Sequence, residues 1–128
     1  MTLTELQELH ALPFFDLLKR SHEVHEKNFP DGKIQLCTLL SIKTGGCSED
    51  CAYCTQSARY ETELKNERLL SKETVMESAR AAHQNGSTRF CMGAAWRGVR
   101  GGTERFNQVV DIIKDVSSLG MEVCVTLG

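Results

Sequence analysis

The chain has 128 residues, of which 25% are charged and 41% hydrophobic, and carries a formal net charge of -2. That length fits one domain of modest size, and so balanced a charge supplies no field for a polyanion, so no nucleic-acid partner is expected. No apolar run approaches the ~18 residues that read as a membrane span. Met1-Thr2-Leu3-Thr4-Glu5 lacks the basic-then-apolar pattern of an export signal, so the expected location is cytoplasmic, off the membrane.

Residues 4 to 28 predict two helices divided near Pro13. Leu6 and Leu9 form a short stripe in the first, and Phe14, Leu17, Leu18 and Val24 form an irregular apolar face in the second. His22 and His25 stand three apart on that helix, a spacing more often found on a surface than in a metal site. Asn28 to Gly32 reads as a turn around Pro30-Asp31-Gly32. Ile34 to Ile42 then predicts a strand, and its nearly continuous apolar character predicts burial on both faces.

Two helix-and-strand units follow. Ser71 is placed to cap a helix with Leu70 as a staple on Val75, and with Val75, Ala79 and Ala82 facing inward; Asn85-Gly86 ends it, and Thr88 to Met92 is a short strand. Gly101-Gly102 is a hinge before a helix capped near Thr103. Phe106, Val109, Val110, Ile113 and Val116 recur there at helical spacing, Gly120 closes it, and Met121 to Leu127 is a strand. Strands alternating with helices predict a parallel sheet. Three strands alone look incomplete. The expected architecture is therefore an α/β fold: an amino-terminal helical extension over residues 1–33, then the first three βα units of a TIM-type (β/α) barrel over 34–128. In such barrels the sites lie at the carboxyl ends of the strands, and cysteines stand near all three of those ends.

Cys47, Cys51 and Cys54 make the pattern C-x3-C-x2-C immediately after the first strand and the turn Thr44-Gly45-Gly46. In a chain without an export signal, closely spaced cysteines are expected to be reduced and to hold a metal or cluster. Thiolates are soft donors suited to iron–sulfur clusters, and three of them on a four-iron cluster leave one iron open. Zinc stays an alternative, but it needs a fourth ligand from Cys91, Cys124 or a histidine. The bacterial ferredoxin spacing C-x2-C-x2-C-x3-C is absent. An electron-transfer cluster held wholly by the protein also stays open at this point.

The stretch Leu39 to Tyr60, containing Lys43-Thr44-Gly45-Gly46-Cys47-Ser48-Glu49-Asp50-Cys51-Ala52-Tyr53-Cys54, resembles the biotin synthase family of radical S-adenosylmethionine enzymes. Arg89 to Arg97 and Glu122 to Gly128 resemble two further segments of that family, and Leu12-Pro13-Phe14 with Val24-His25 extends the likeness over essentially the whole chain. The resemblance implies that Cys47, Cys51 and Cys54 bind a 4Fe–4S cluster whose open iron takes S-adenosylmethionine. It implies that Tyr53 lies near the adenine and that the backbone of Gly93, Ala94 and Ala95 helps hold the methionine end. Cys91 and Cys124 match two ligands of a 2Fe–2S cluster, whose remaining cysteine and arginine ligands are expected from later strands. Arg89 is no substitute for that arginine. Cys37 falls outside the ligand set and reads as a buried small hydrophobe, and Trp96 as a packing anchor.

The implied reaction is conversion of dethiobiotin to biotin. A flavodoxin- or ferredoxin-type reductant supplies the electron, S-adenosylmethionine is cleaved to a 5′-deoxyadenosyl radical, and the 2Fe–2S cluster donates sulfur. The full-length enzyme is expected to be a homodimer, and this chain alone inactive. Alternatives are another radical S-adenosylmethionine enzyme of cofactor biosynthesis, or a non-enzymatic iron–sulfur or metal-binding module.

Overall fold

A computed structural model describes residues 1–128 as two compact units, Met1–Ile34 and Gln35–Gly128. The first holds helices α1 (Leu3–His10) and α2 (Phe14–Asn28). Thr2 caps α1 through a capping box: its hydroxyl accepts from the Glu5 amide, and the Glu5 carboxylate accepts from the Thr2 amide at 2.5 Å. Pro13 precedes α2 with a φ of -54°, a value its ring already imposes, and it interrupts the two helices where its missing N–H does least harm. His22 lies 3.4 Å from Glu26, and the His25 ring stacks on Phe29.

The second unit is a three-stranded parallel sheet in the order β1-β2-β3, with β1 at Cys37–Lys43, β2 at Arg89–Ala94 and β3 at Glu122–Thr126. Helices α3 (Lys72–Gln84) and α4 (Glu104–Ser117) connect the strands. Each starts on a hydroxyl cap: Ser71 accepts from the Thr74 amide, and Thr103 accepts from the Phe106 amide. The core lies between the helices and one face of the sheet. Ile42, Phe90 and Met92 supply the sheet side, and Val75, Ala79, Val109, Ile112 and Val116 the helix side. The strands do not close into a barrel. No helix is long and apolar enough to cross a membrane.

Three expectations are corrected. Residues 34–36 lie outside β1, which starts at Cys37 because β2 offers its first partner at Arg89; the Leu36 carbonyl only closes the end of the ladder, accepting from the Thr88 and Arg89 amides. The first strand is not buried on both faces: exposure alternates along it, leaving Leu39 73% exposed and Cys37 on the surface, because only one face of the sheet meets a helix. Cys37 is therefore not a buried hydrophobe. In α4 the inner stripe runs through Val109, Ile112 and Val116, with Val110 and Ile113 only half-buried; both Ile112 and Ile113 fit the helical period, and packing on the sheet chooses the former. The sequence reading also passed over Met76, which α3 buries.

Candidate metal centre

Beyond β1 the backbone turns sharply into the cysteine loop. Gly45 and Gly46 have φ of +69° and +66°, a region that side chains rarely adopt. Space forbids one at Gly45 as well, where a Cβ would lie 2.5 Å from the Lys65 carbonyl oxygen; at Gly46 it would lie 2.5 Å from the Asn66 amide group, which would have to move. The buried Lys43 ammonium donates to the Gly45 carbonyl and, at 3.0 Å, to Asn66 Oδ1, tying the turn to the segment that runs beside it.

The loop is closed by its own backbone. The Cys47 amide donates to the Gln56 carbonyl at 2.9 Å, and the Ala58 amide to the Cys47 carbonyl at 2.7 Å. Ser57 Oγ donates to the Glu49 carbonyl at 2.6 Å, and the Cys54 amide to the Cys51 carbonyl at 2.8 Å. Within this ring Cys47 is buried, Cys54 half-buried and Cys51 exposed, all as free thiols. The three side chains do not converge on one point, and no group of three or more His, Cys, Asp or Glu is gathered to hold an ion. The backbone brings the thiols onto one loop; it does not by itself set their rotamers.

The two acidic side chains among the cysteines are both engaged. Glu49 pairs with Arg97 at 3.0 Å, and Asp50 accepts from the Tyr60 hydroxyl at 2.8 Å, which pushes the Tyr60 pKa up. With no histidine in the loop and both carboxylates paired, the donor set is three soft thiols. That set fits a cluster with one open iron better than a closed zinc site.

A cleft of about 530 Å³ opens beside the loop, at the carboxyl ends of β1 and β2, lined in part by Lys43, Gly46, Ser48, Ala95, Trp96 and Arg97. Trp96 is buried in the core, and the Arg105 guanidinium sits 4.8 Å from its ring centroid, so it anchors this wall. Tyr53 is 92% exposed. A Cβ on Gly93 would meet open space, Ala94 packs against the core, and the Ala95 amide is taken by the Lys43 carbonyl at 2.9 Å.

A second group of thiols lies on the sheet. Cys91 and Cys124 are Cα partners on adjacent strands, in one row with Leu39 on the face the helices leave open. Desolvation pushes the Cys91 thiol pKa up, aided by a hydrogen bond and charge from Cys124 and charge from Cys37, while Arg89 pulls it down. The neighbouring row on that face is Cys37, Arg89 and Glu122. Arg89 Nη2 pairs with Glu122 Oε1, and Gln35 Nε2 donates to Glu122 Oε2 at 2.7 Å, which holds that carboxyl below its usual range. Sequence reasoning missed Gln35, Glu122, Asn66 and the pairing of Glu49 with Arg97. Each joins partners far apart in the chain, and local pattern carries no trace of such pairs.

No family model matches the chain. Curated relatives do. Biotin synthase of Azoarcus sp. strain BH72 is 54% identical over 127 residues, covering 99% of this chain and 38% of that protein. Biotin synthase of Schizosaccharomyces pombe is 50% identical over 127 residues, 99% of this chain and 35% of that protein. The Arabidopsis thaliana protein named "Biotin synthase, mitochondrial" is 51% identical over 124 residues, 97% of this chain and 33% of that protein. The chain thus spans about a third of the length of these relatives, 33–38%. At 50–54% identity across nearly its whole length, this chain is homologous to the biotin synthase family of the radical S-adenosylmethionine superfamily, over the amino-terminal portion of the full-length proteins.

Proposed function

We propose that this chain is the radical-initiating part of an enzyme that converts dethiobiotin to biotin, with Cys47, Cys51 and Cys54 holding a 4Fe–4S cluster and Cys91 and Cys124 supplying two ligands to a 2Fe–2S cluster. When bound, these groups supply an electron for reductive cleavage of S-adenosylmethionine and sulfur for the new carbon–sulfur bonds. The observation that carries the reading is the cysteine loop. Its backbone closes on itself between Cys47 and Ala58, and both of its carboxylates are engaged elsewhere, by Arg97 and Tyr60. Glu49 and Asp50 thus have partners of their own and are not needed by a small-molecule ligand.

The chain's own residues bind and exclude. Lys43 and Asn66 hold the glycine turn that delivers Cys47. Gly93 leaves its space free for a ligand, and Trp96 walls the cleft from the core side. Tyr53 is assigned to the adenine, and Gly93, Ala94 and Ala95 to the amino-acid end; of those three, Ala95 contributes through its carbonyl or side chain, since its amide is already bonded. No catalytic acid–base pair is assigned, because hydrogen abstraction by a radical needs none. The reductant is a flavodoxin- or ferredoxin-type protein, and dethiobiotin is the substrate of the full-length enzyme, a homodimer.

Anaerobic reconstitution with iron and sulfide, followed by electron paramagnetic resonance with and without S-adenosylmethionine, tests the loop. The expected result is a reduced-cluster signal that the cofactor reshapes and that Cys51→Ala abolishes. A signal indifferent to the cofactor, or firm zinc uptake without iron, would overturn the reading.

A further inference from the structure

One buried side-chain nitrogen in the chain has no hydrogen-bond partner, and it is Arg89 Nε. Another nitrogen of that guanidinium, Nη2, is held by Glu122, and Glu122 is held in turn by Gln35. An orphaned donor on a rigid, charged group is costly unless something absent from the polypeptide accepts from it. Arg89 and Cys91 stand two residues apart on β2, on the same open face, about 7 Å between Cα atoms. Cys124 is directly beside Cys91. Cys37 is the cross-strand neighbour of Arg89 in its own row, and the next row of the same face brings the adjacent thiols of Cys91 and Cys124 within reach of the free donor.

We propose that Arg89 is a positioning residue for the anionic, sulfur-ligated group that Cys91 and Cys124 hold, with Nε donating to a thiolate or sulfide sulfur and Glu122 and Gln35 fixing the guanidinium. The proposal rests on the reading of Cys91 and Cys124 as metal ligands. Hydrogen bonds from outer groups to ligand atoms orient a metal site and tune it. The guanidinium suits this role because one edge can be tied to a carboxylate while Nε stays free, which a lysine ammonium cannot reproduce.

The test loads the 128-residue chain with cobalt(II) alone under anaerobic conditions. The share of the thiolate-to-cobalt absorption that Cys91→Ala/Cys124→Ala removes belongs to the pair. In Arg89→Met that share should weaken about tenfold in cobalt affinity and move to longer wavelength, since a sulfur that loses a donor gives up charge more easily. Arg89→Lys keeps the positive charge and the partner Glu122, so it should keep the wild-type unfolding midpoint yet still show the shifted band. Wild-type affinity and band position in folded Arg89→Met or Arg89→Lys overturn the role of Arg89 alone. Cobalt uptake unaffected by Cys91→Ala/Cys124→Ala overturns the assignment of the pair itself, and the inference with it.

Discussion

The two faces of the sheet are built from the same strands and serve opposite ends. Along β2, Phe90 and Met92 point at the helices and are almost wholly buried, while Arg89, Cys91 and Gly93 between them point to the open side. One face collects apolar surface and holds the unit together. The other carries thiols, an ion pair and a glycine, none of which a packed core would choose. A period of two lets one strand do both. Stability and chemistry are thus separated by a single residue step, and a substitution should reveal which face it strikes.

The largest effect is expected from Phe90→Ala. It empties a fully buried site and should cost about 4 kcal/mol in urea unfolding, enough to threaten a unit of this size. Gly45→Ala should follow at about 3 kcal/mol, combining the strained φ with the Lys65 contact, and should abolish iron uptake by the loop. The same change at Gly93, on the open face with nothing within 4 Å, should alter stability by no more than about 0.5 kcal/mol. A comparable loss for Gly93→Ala would break the contrast between the two positions. Thr103→Ala removes the cap of α4 and should cost about 1 kcal/mol by thermal unfolding.

A pH series sharpens the comparison further. The folded pKa of Glu122 is depressed, chiefly by its hydrogen bonds from Arg89 and Gln35, below the ordinary 4.5. Its contribution is therefore present above that unfolded value and lost as pH falls through the lower folded one. The pair is partly exposed, so the effect is small. Unfolding midpoints measured from pH 7 to pH 3 should fall less steeply in Glu122→Gln than in the parent chain; identical slopes would remove Glu122 from the account.

Much of this was legible in residue order. The caps Ser71 and Thr103, the break at Pro13 and the inward positions Val75, Ala79, Val109 and Val116 follow from propensity and period, and the helices form there. The cysteine pattern was legible because C-x3-C-x2-C is a local spacing. Burial of the first strand was not, because an apolar run of nine residues reads the same whether one face or two is covered; Leu39 and Ile42 belong to the same run and end at opposite extremes. The choice of Ile112 over Ile113 turned on a rotation of α4 that only packing against the sheet supplies.

Sequence alone determined which elements form, where the thiols fall along the chain, and that three of them share one tight loop, since caps, periods and spacings act over a few residues. Only the tertiary structure decided that Cys91 stands beside Cys124, that Arg97 and Tyr60 occupy the loop's carboxylates, and that Arg89 keeps one nitrogen unpaired. Those relations join residues from different strands and loops. They exist only once the sheet register has brought distant backbone side by side.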